Sequence, residues 1–173
     1  MKTHDLTRVA LMTAVLCILA PISIPIPISS VVVSLSTFAL YLMAYLLKPK
    51  QALVSVGLYL LLGAAGLPVF AGYLSGIGRF IAPGGGYLIG YLLLAGISGW
   101  FIQIYAEPLS QIFGMFLGTL AMYLIGTFWM SLSTGVSFVS AVPAGLLVFL
   151  PFDILKMLLA FYVGKKINLH IKN

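Results

Sequence analysis

Two ionisable side chains stand where ionisable groups are least welcome. Asp153 and Lys156 lie in Leu150-Pro151-Phe152-Asp153-Ile154-Leu155-Lys156, inside the last long apolar run of the chain. Each costs ~2.5–3.5 kcal/mol at the centre of a membrane helix, whereas each Leu, Ile, Val or Phe returns only ~0.3–0.6. The twelve such residues between Pro143 and Gly164 recover about 4–7 kcal/mol, which the two charges nearly consume. On a helix the pair is about 4.5 Å apart along one face and can meet. Either the two merely neutralise each other inside a bundle, or they face a ligand cavity, the default for intramembrane charge. The chemistry on offer is recognition: a carboxylate that accepts from N–H donors beside an ammonium that donates to a carbonyl.

Catalytic and metal chemistry find no support elsewhere. There is no GxxxxGK[ST] phosphate loop, so the chain does not hydrolyse ATP by that route. No HExxH motif or Cys/His cluster offers a metal site. His4 and His170 sit at polar ends, and Cys17 is a lone cysteine in an apolar run. An intramembrane enzyme would have only Asp153 and Lys156 to work with. The expectation is a binding protein, not an enzyme, with no cofactor and no metal.

The second feature is the glycine-rich stretch from Gly63 to Gly86. It holds eight of the 18 glycines, with Pro68, Pro83 and one charge, Arg79. Its apolar and aromatic residues (Leu67, Val69, Phe70, Tyr73, Phe80, Tyr87) argue against a solvated linker. A lid folded over a pocket explains both kinds of residue. Glycines, Gly85 and Gly86 among them, permit close backbone approach, and aromatics wall an apolar ligand.

These features must be positioned by elements that live in lipid. Of 173 residues 62% are hydrophobic and 7% charged, with mean hydropathy +1.17, against about 25% charged in a soluble domain. The pattern predicts an all-α integral membrane bundle of six transmembrane helices, one domain over residues 1–173. The spans run from Leu6 to Ala20, Val31 to Leu47, Ala52 to Leu67, Tyr87 to Tyr105, Leu109 to Met130 and Pro143 to Gly164. Pro21, Pro25 and Pro27 forbid a helix between the first two, and Ile22, Ile24, Ile26 and Ile28 alternate as in an extended segment. Asp5 among the bases of residues 1–8, with prolines in place of a small-residue cleavage site, predicts that the first span is retained.

Net charge is +6, but the bases sit at helix ends as topology signals, so no nucleic-acid partner is expected. With both termini cytoplasmic, Lys2, Arg8, Lys48, Lys50, Lys165, Lys166 and Lys172 fall inside and only Arg79 outside. Four small-xxx-small pairs, Ala10/Ala14, Gly86/Gly90, Gly114/Gly118 and Ala160/Gly164, mark faces where helices can approach closely.

Three blocks together carry a resemblance over essentially the whole chain. Gly66-Leu67-Pro68-Val69-Phe70-Ala71-Gly72, Gly84-Gly85-Gly86-Tyr87-Leu88-Ile89-Gly90 and Pro151-Phe152-Asp153-Ile154-Leu155-Lys156 resemble BioY, the biotin-binding S component of energy-coupling factor (ECF) transporters. The family's second block more often begins Gly-Pro-Thr-Gly-Gly-Tyr; this chain has Ala82-Pro83-Gly84-Gly85-Gly86-Tyr87 and no threonine hydroxyl there. The resemblance implies a six-helix protein of a prokaryotic cell membrane that takes biotin from outside. It would dock onto a transmembrane coupling protein driven by two ATPase subunits, through Ala10 and Ala14 on the first helix. Biotin fits the residues: Asp153 can accept from a ureido N–H and Lys156 can donate to the ureido carbonyl. Tyr87 and Phe70 can wall the bicycle, and Arg79 is the candidate for the carboxylate. Rival readings are a self-sufficient biotin carrier or channel and an S component for another small vitamin.

Overall fold

The computed structural model describes residues 3–27 and 29–172; Lys2 of the basic set and Ile28 of the isoleucine alternation lie outside the described residues. Helix α1 (Thr3–Leu19) buries Val9, Met12, Thr13 and Leu16, the one-sided stripe of a helix that packs on one face only. The proline-interrupted segment then turns back on itself. Ser23–Ile24 (β1) pairs antiparallel with Val33–Ser34 (β2), Ser23 opposite Ser34 and Ile24 opposite Val33, the one strand pair among the described residues.

That hairpin shortens the second helix. Val31 to Ser34, expected as the start of a span, are drawn into the hairpin, and α2 runs only Ser36–Leu46. Helix α3 (Pro49–Ala64) starts at a proline in its first turn, where the missing N–H costs nothing. The glycine-rich segment follows, with Gly66, Gly72 and Gly76 at φ of 107°, 73° and 91°, a region that favours glycine. It contains a single helical turn, α4 (Gly78–Ile81).

Helices α5 (Gly85–Ile104) and α6 (Pro108–Thr134) form a long antiparallel hairpin. Gly135 ends α6 in the left-handed conformation, φ 72°. The last span is composite: α7 (Phe138–Val142), a π-helical turn (Pro143–Leu147) and α8 (Leu150–Lys172). Pro151 therefore falls in the first turn of α8, and the irregularity sits upstream at the π turn. Three helices are long and apolar enough to cross a membrane: Gly85–Ile104, Pro108–Thr134 and the continuous Phe138–Ile167.

Small residues do the close packing. A Cβ on Gly90 would lie 2.8–3.1 Å from Met122 of α6, and one on Gly118 would lie 3.0 Å from the Leu94 carbonyl oxygen of α5. Gly86 faces Trp129 and the Ile125 backbone, and Gly114 faces the Phe101 ring. Gly164 of α8 lies against the Tyr45 ring of α2. Three of the four small-residue pairs thus serve contacts within the chain. Ala10 and Ala14 do not: both are exposed on the outer face of α1.

Candidate ligand-binding site

Asp153 enters the bundle in the first turn of α8 and is 4% exposed. Its two oxygens are held separately. Oδ1 accepts from Lys156 Nζ at 2.7 Å and from Thr37 Oγ1 of α2 at 2.7 Å. Oδ2 accepts from the Tyr123 hydroxyl of α6 at 2.6 Å. Lys156 Nζ also donates to the Ser34 backbone oxygen at 2.7 Å and to Thr37 Oγ1 at 3.2 Å. The expected ion pair is formed, but it is the centre of a cluster drawn from the hairpin, α2, α6 and α8.

The accounting of lone pairs and protons says what this cluster can still do. Lys156 has three N–H donors, and three acceptors surround it. Thr37 Oγ1 is the most distant, so it is the contact a competing carbonyl displaces most readily. Asp153 accepts three hydrogen bonds of about four it can take, so Oδ2 retains capacity for one more N–H. A second polar chain lies beside it: Tyr91 OH is 2.6 Å from Ser36 Oγ, which in turn meets Ser34 Oγ.

Two confluent cavities lead outward from the pair. The inner one, about 40 Å³, is lined by Asp153, Lys156, Thr37, Tyr123, Tyr87 and Phe149 among others. The outer one, about 230 Å³, is lined by Phe70, Arg79 and Gly84 among others, with Val31, Val32, Ser34, Tyr87 and Tyr91 shared between the two. Tyr87 forms their common wall. Its hydroxyl donates to the Gly145 carbonyl of the π turn at 2.6 Å, and its ring stands edge-on to Tyr123, centroids 6.5 Å apart.

The glycine-rich segment covers the outer cavity and is firmly anchored. Phe70 is 2% exposed and packs edge-on against Tyr59 and Phe80. Its ring lies where a Cβ on Gly63 would come, within 2.2 Å. Gly76 N–H donates to Gly63 O at 2.7 Å and Gly72 N–H to Pro21 O at 3.0 Å, tying the segment to α3 and to the end of α1.

Of the residues expected in the site, Asp153, Lys156 and Tyr87 meet at the inner cavity, and Phe70 and Arg79 join Tyr87 at the outer one. Gly85 and Gly86, expected beside the ligand, line neither cavity. A Cβ on Gly85 would strike the Phe80 carbonyl at 1.9 Å and one on Gly86 the Trp129 side chain at 2.3 Å, so their task is packing. Gly72 and Gly84 are the glycines that line the outer cavity. Thr37, Tyr123, Ser34 and Tyr91 went unnoticed in the sequence, because a hydroxyl in an apolar span is common and only the fold shows which ones converge. Ala10 and Ala14 lie on α1, which contributes to neither cavity.

A family model described as the BioY family matches residues 1–173. The biotin transporter BioY2 of Lactococcus lactis subsp. cremoris (strain MG1363) is 36% identical over 164 residues, covering 94% of this chain and 89% of that protein. The biotin transporter BioY of Thermotoga maritima is 31% identical, covering 95% and 96%. The crystal structure of the S-component for biotin from an ECF-type ABC transporter superposes with a TM-score of 0.88 at 29% identity, covering 96% of this chain and 94% of that one.

Proposed function

The chain belongs to the BioY family, and from that premise we propose that it is the biotin-binding S component of an ECF transporter, capturing biotin from outside the cell. The observation that carries the site assignment is the Asp153–Lys156 pair at the closed end of a cavity whose outer part holds Arg79. Biotin carries a ureido group at one end, an apolar bicycle and chain between, and a carboxylate at the other. The ureido ring faces Asp153 Oδ2 with an N–H and Lys156 with its carbonyl, which displaces Thr37 as the third acceptor. Tyr87, Tyr91 and Phe70 wall the apolar part, and Arg79 receives the carboxylate.

Six membrane passes place this site in the outer half of the bilayer. Helices α1, α2 and α3, with 17, 11 and 16 residues, are short for a ~30 Å hydrocarbon core. The hairpin and the anchored glycine-rich segment complete the thickness above them. Both termini are cytoplasmic, on the side of the basic helix ends. The exposed Ala10/Ala14 face of α1 receives the transmembrane coupling protein, which two ATPase subunits drive. The absence of a phosphate loop from the sequence supports that division of labour.

The deciding experiment is calorimetry with biotin on folded, detergent-purified protein. Asp153→Asn and Lys156→Met should each weaken binding by at least ~1.5–3 kcal/mol, more than tenfold. The double variant leaves no unpaired buried charge. It should bind no better than the worse single variant if the two hold the ligand; restored affinity would reduce them to a structural pair.

A further inference from the structure

A second polar cavity lies at the opposite end of the bundle from the biotin site. It is about 350 Å³ and is walled by α1, the α2–α3 junction and the last turns of α5, including Asp5, Arg8, Lys48, Gln51 and Gln103. Asp5 and Arg8 are not on the outer face of α1. They continue the inward stripe of Val9 and Met12 toward the N-terminus and are both half-buried. Charges meant only to mark topology have no need to turn inward. Among the described residues no hydrogen bond or ion pair holds the Arg8 guanidinium or the Lys48 ammonium. Gln51, 7% exposed, uses its side-chain oxygen to accept from the Lys48 N–H at 3.0 Å. What it has left for the cavity is its amide N–H₂.

We propose that this cavity binds the phosphodiester of a phospholipid headgroup from the membrane leaflet on the side of the termini. A wall that offers two cations and amide donors selects an anion with several acceptor oxygens, and basic pockets between membrane helices are known hosts of such headgroups. Arg8 and Lys48 bring two positive charges to the wall, which a phosphodiester can meet with its two unesterified oxygens. Asp5 is itself engaged by another group. The remaining walls are apolar, Leu46, Leu47 and Ile102. Leu6 and Ile104, next in sequence to the wall residues Asp5 and Gln103, are 54% and 53% exposed, apolar surface of the kind acyl chains cover. The occupant that brings both a phosphate and a tail is a phospholipid.

Native mass spectrometry on the full-length protein in detergent tests this, with phosphatidylglycerol, the phosphate-free diacylglycerol and inorganic phosphate as probes. One phosphatidylglycerol should be retained where diacylglycerol is not, and excess inorganic phosphate should not displace it. Arg8→Gln with Lys48→Gln should weaken its retention at least about tenfold. Lys165→Gln with Lys166→Gln removes the same charge from the same end of the bundle outside the cavity and should leave retention intact. Equal loss in both variants would reduce the effect to bulk electrostatics and overturn the site. Displacement by inorganic phosphate would make it a free-anion site and overturn the lipid. Unchanged lipid retention with lost assembly onto the coupling protein would assign the cavity to a protein partner and equally overturn it. Should the double variant not fold, Lys48→Gln alone, at an exposed position, carries the test with a severalfold loss.

Discussion

The seam between α5 and α6 and the Asp153 end of the seam between α2 and α8 are built on opposite principles. The first is held by shape: Gly86, Gly90, Gly114, Gly118 and Gly126 let the helices meet at distances where any Cβ would collide. Its polar exchange is slight, a 3.3 Å contact between Tyr87 and Thr127, and Ser98 Oγ is buried in it with no partner. The second is held by charge and hydroxyls, with Thr37, Asp153 and Lys156 exchanging three hydrogen bonds. A shape-matched seam has one arrangement and makes a frame. A hydrogen-bonded seam can trade one partner for another of the same chemistry, and a ligand site needs that freedom. The two seams meet at Tyr87 and Tyr123, which belong to the frame and face the site.

The contrast can be broken most severely at the frame. Gly118→Val would press branched carbon against the Leu94 backbone and Ser98, an overpacking cost of about 3 kcal/mol. The expected outcome is a clearly lowered unfolding midpoint, with biotin affinity unaltered in the protein that remains folded. An unchanged midpoint would show that the seam is not close-packed. Tyr123→Phe should divide its effect the other way. Removing the hydroxyl that donates to Asp153 Oδ2 forfeits a charge-assisted bond of about 2 kcal/mol, roughly thirtyfold in biotin affinity. The unfolding midpoint should fall less than in the glycine variant; the reverse pattern would place Tyr123 in the frame alone.

A smaller effect sharpens the polarity of the site. Arg79 is half-buried beside the outer cavity, so solvent screens part of its charge. Arg79→Gln should cost about 1 kcal/mol with biotin, roughly fivefold, and nothing with biotin amide, which lacks the carboxylate. Equal losses with both ligands in titration calorimetry would remove Arg79 from carboxylate recognition. The smallest effect on the isolated protein belongs to Ala10→Leu with Ala14→Leu. Both positions are exposed and remote from the cavities, so biotin affinity should not change while co-purification with the coupling protein is lost. Weakened binding together with lost assembly would show that the docking face and the site are not separate.

The sequence made some of this legible because cost and spacing leave few choices. A carboxylate and an ammonium three residues apart in an apolar run had to be paired, and they are. Gly86/Gly90 and Gly114/Gly118 could be read as contact faces, although which helices they joined needed the fold. The start of α2 could not be read, since Val31-Val32-Val33 suits a membrane helix and a strand equally. What decided it was the partner, Ser23–Ile24, supplied by the preceding segment. The packing of Gly85 and Gly86 against Phe80 and Trp129 could not be read, because a glycine beside a ligand and a glycine beside a neighbouring helix look alike in one dimension. Thr37 and Tyr123 were hidden for a related reason: their polarity matters through Asp153 and Lys156, more than a hundred residues beyond Thr37.

Lys156 rests on the backbone oxygen of Ser34, and this has a genetic consequence. Every residue type carries a carbonyl, so no codon change at position 34 deletes that acceptor, whereas single substitutions can erase the hydroxyl of Thr37 or Tyr123. The variation that would release Lys156 is a gain or loss of residues between Ser23 and Ser34 that shifts the hairpin out of register. In this region, lineages that alter how they hold the lysine are expected to differ in loop length before they differ in side chains.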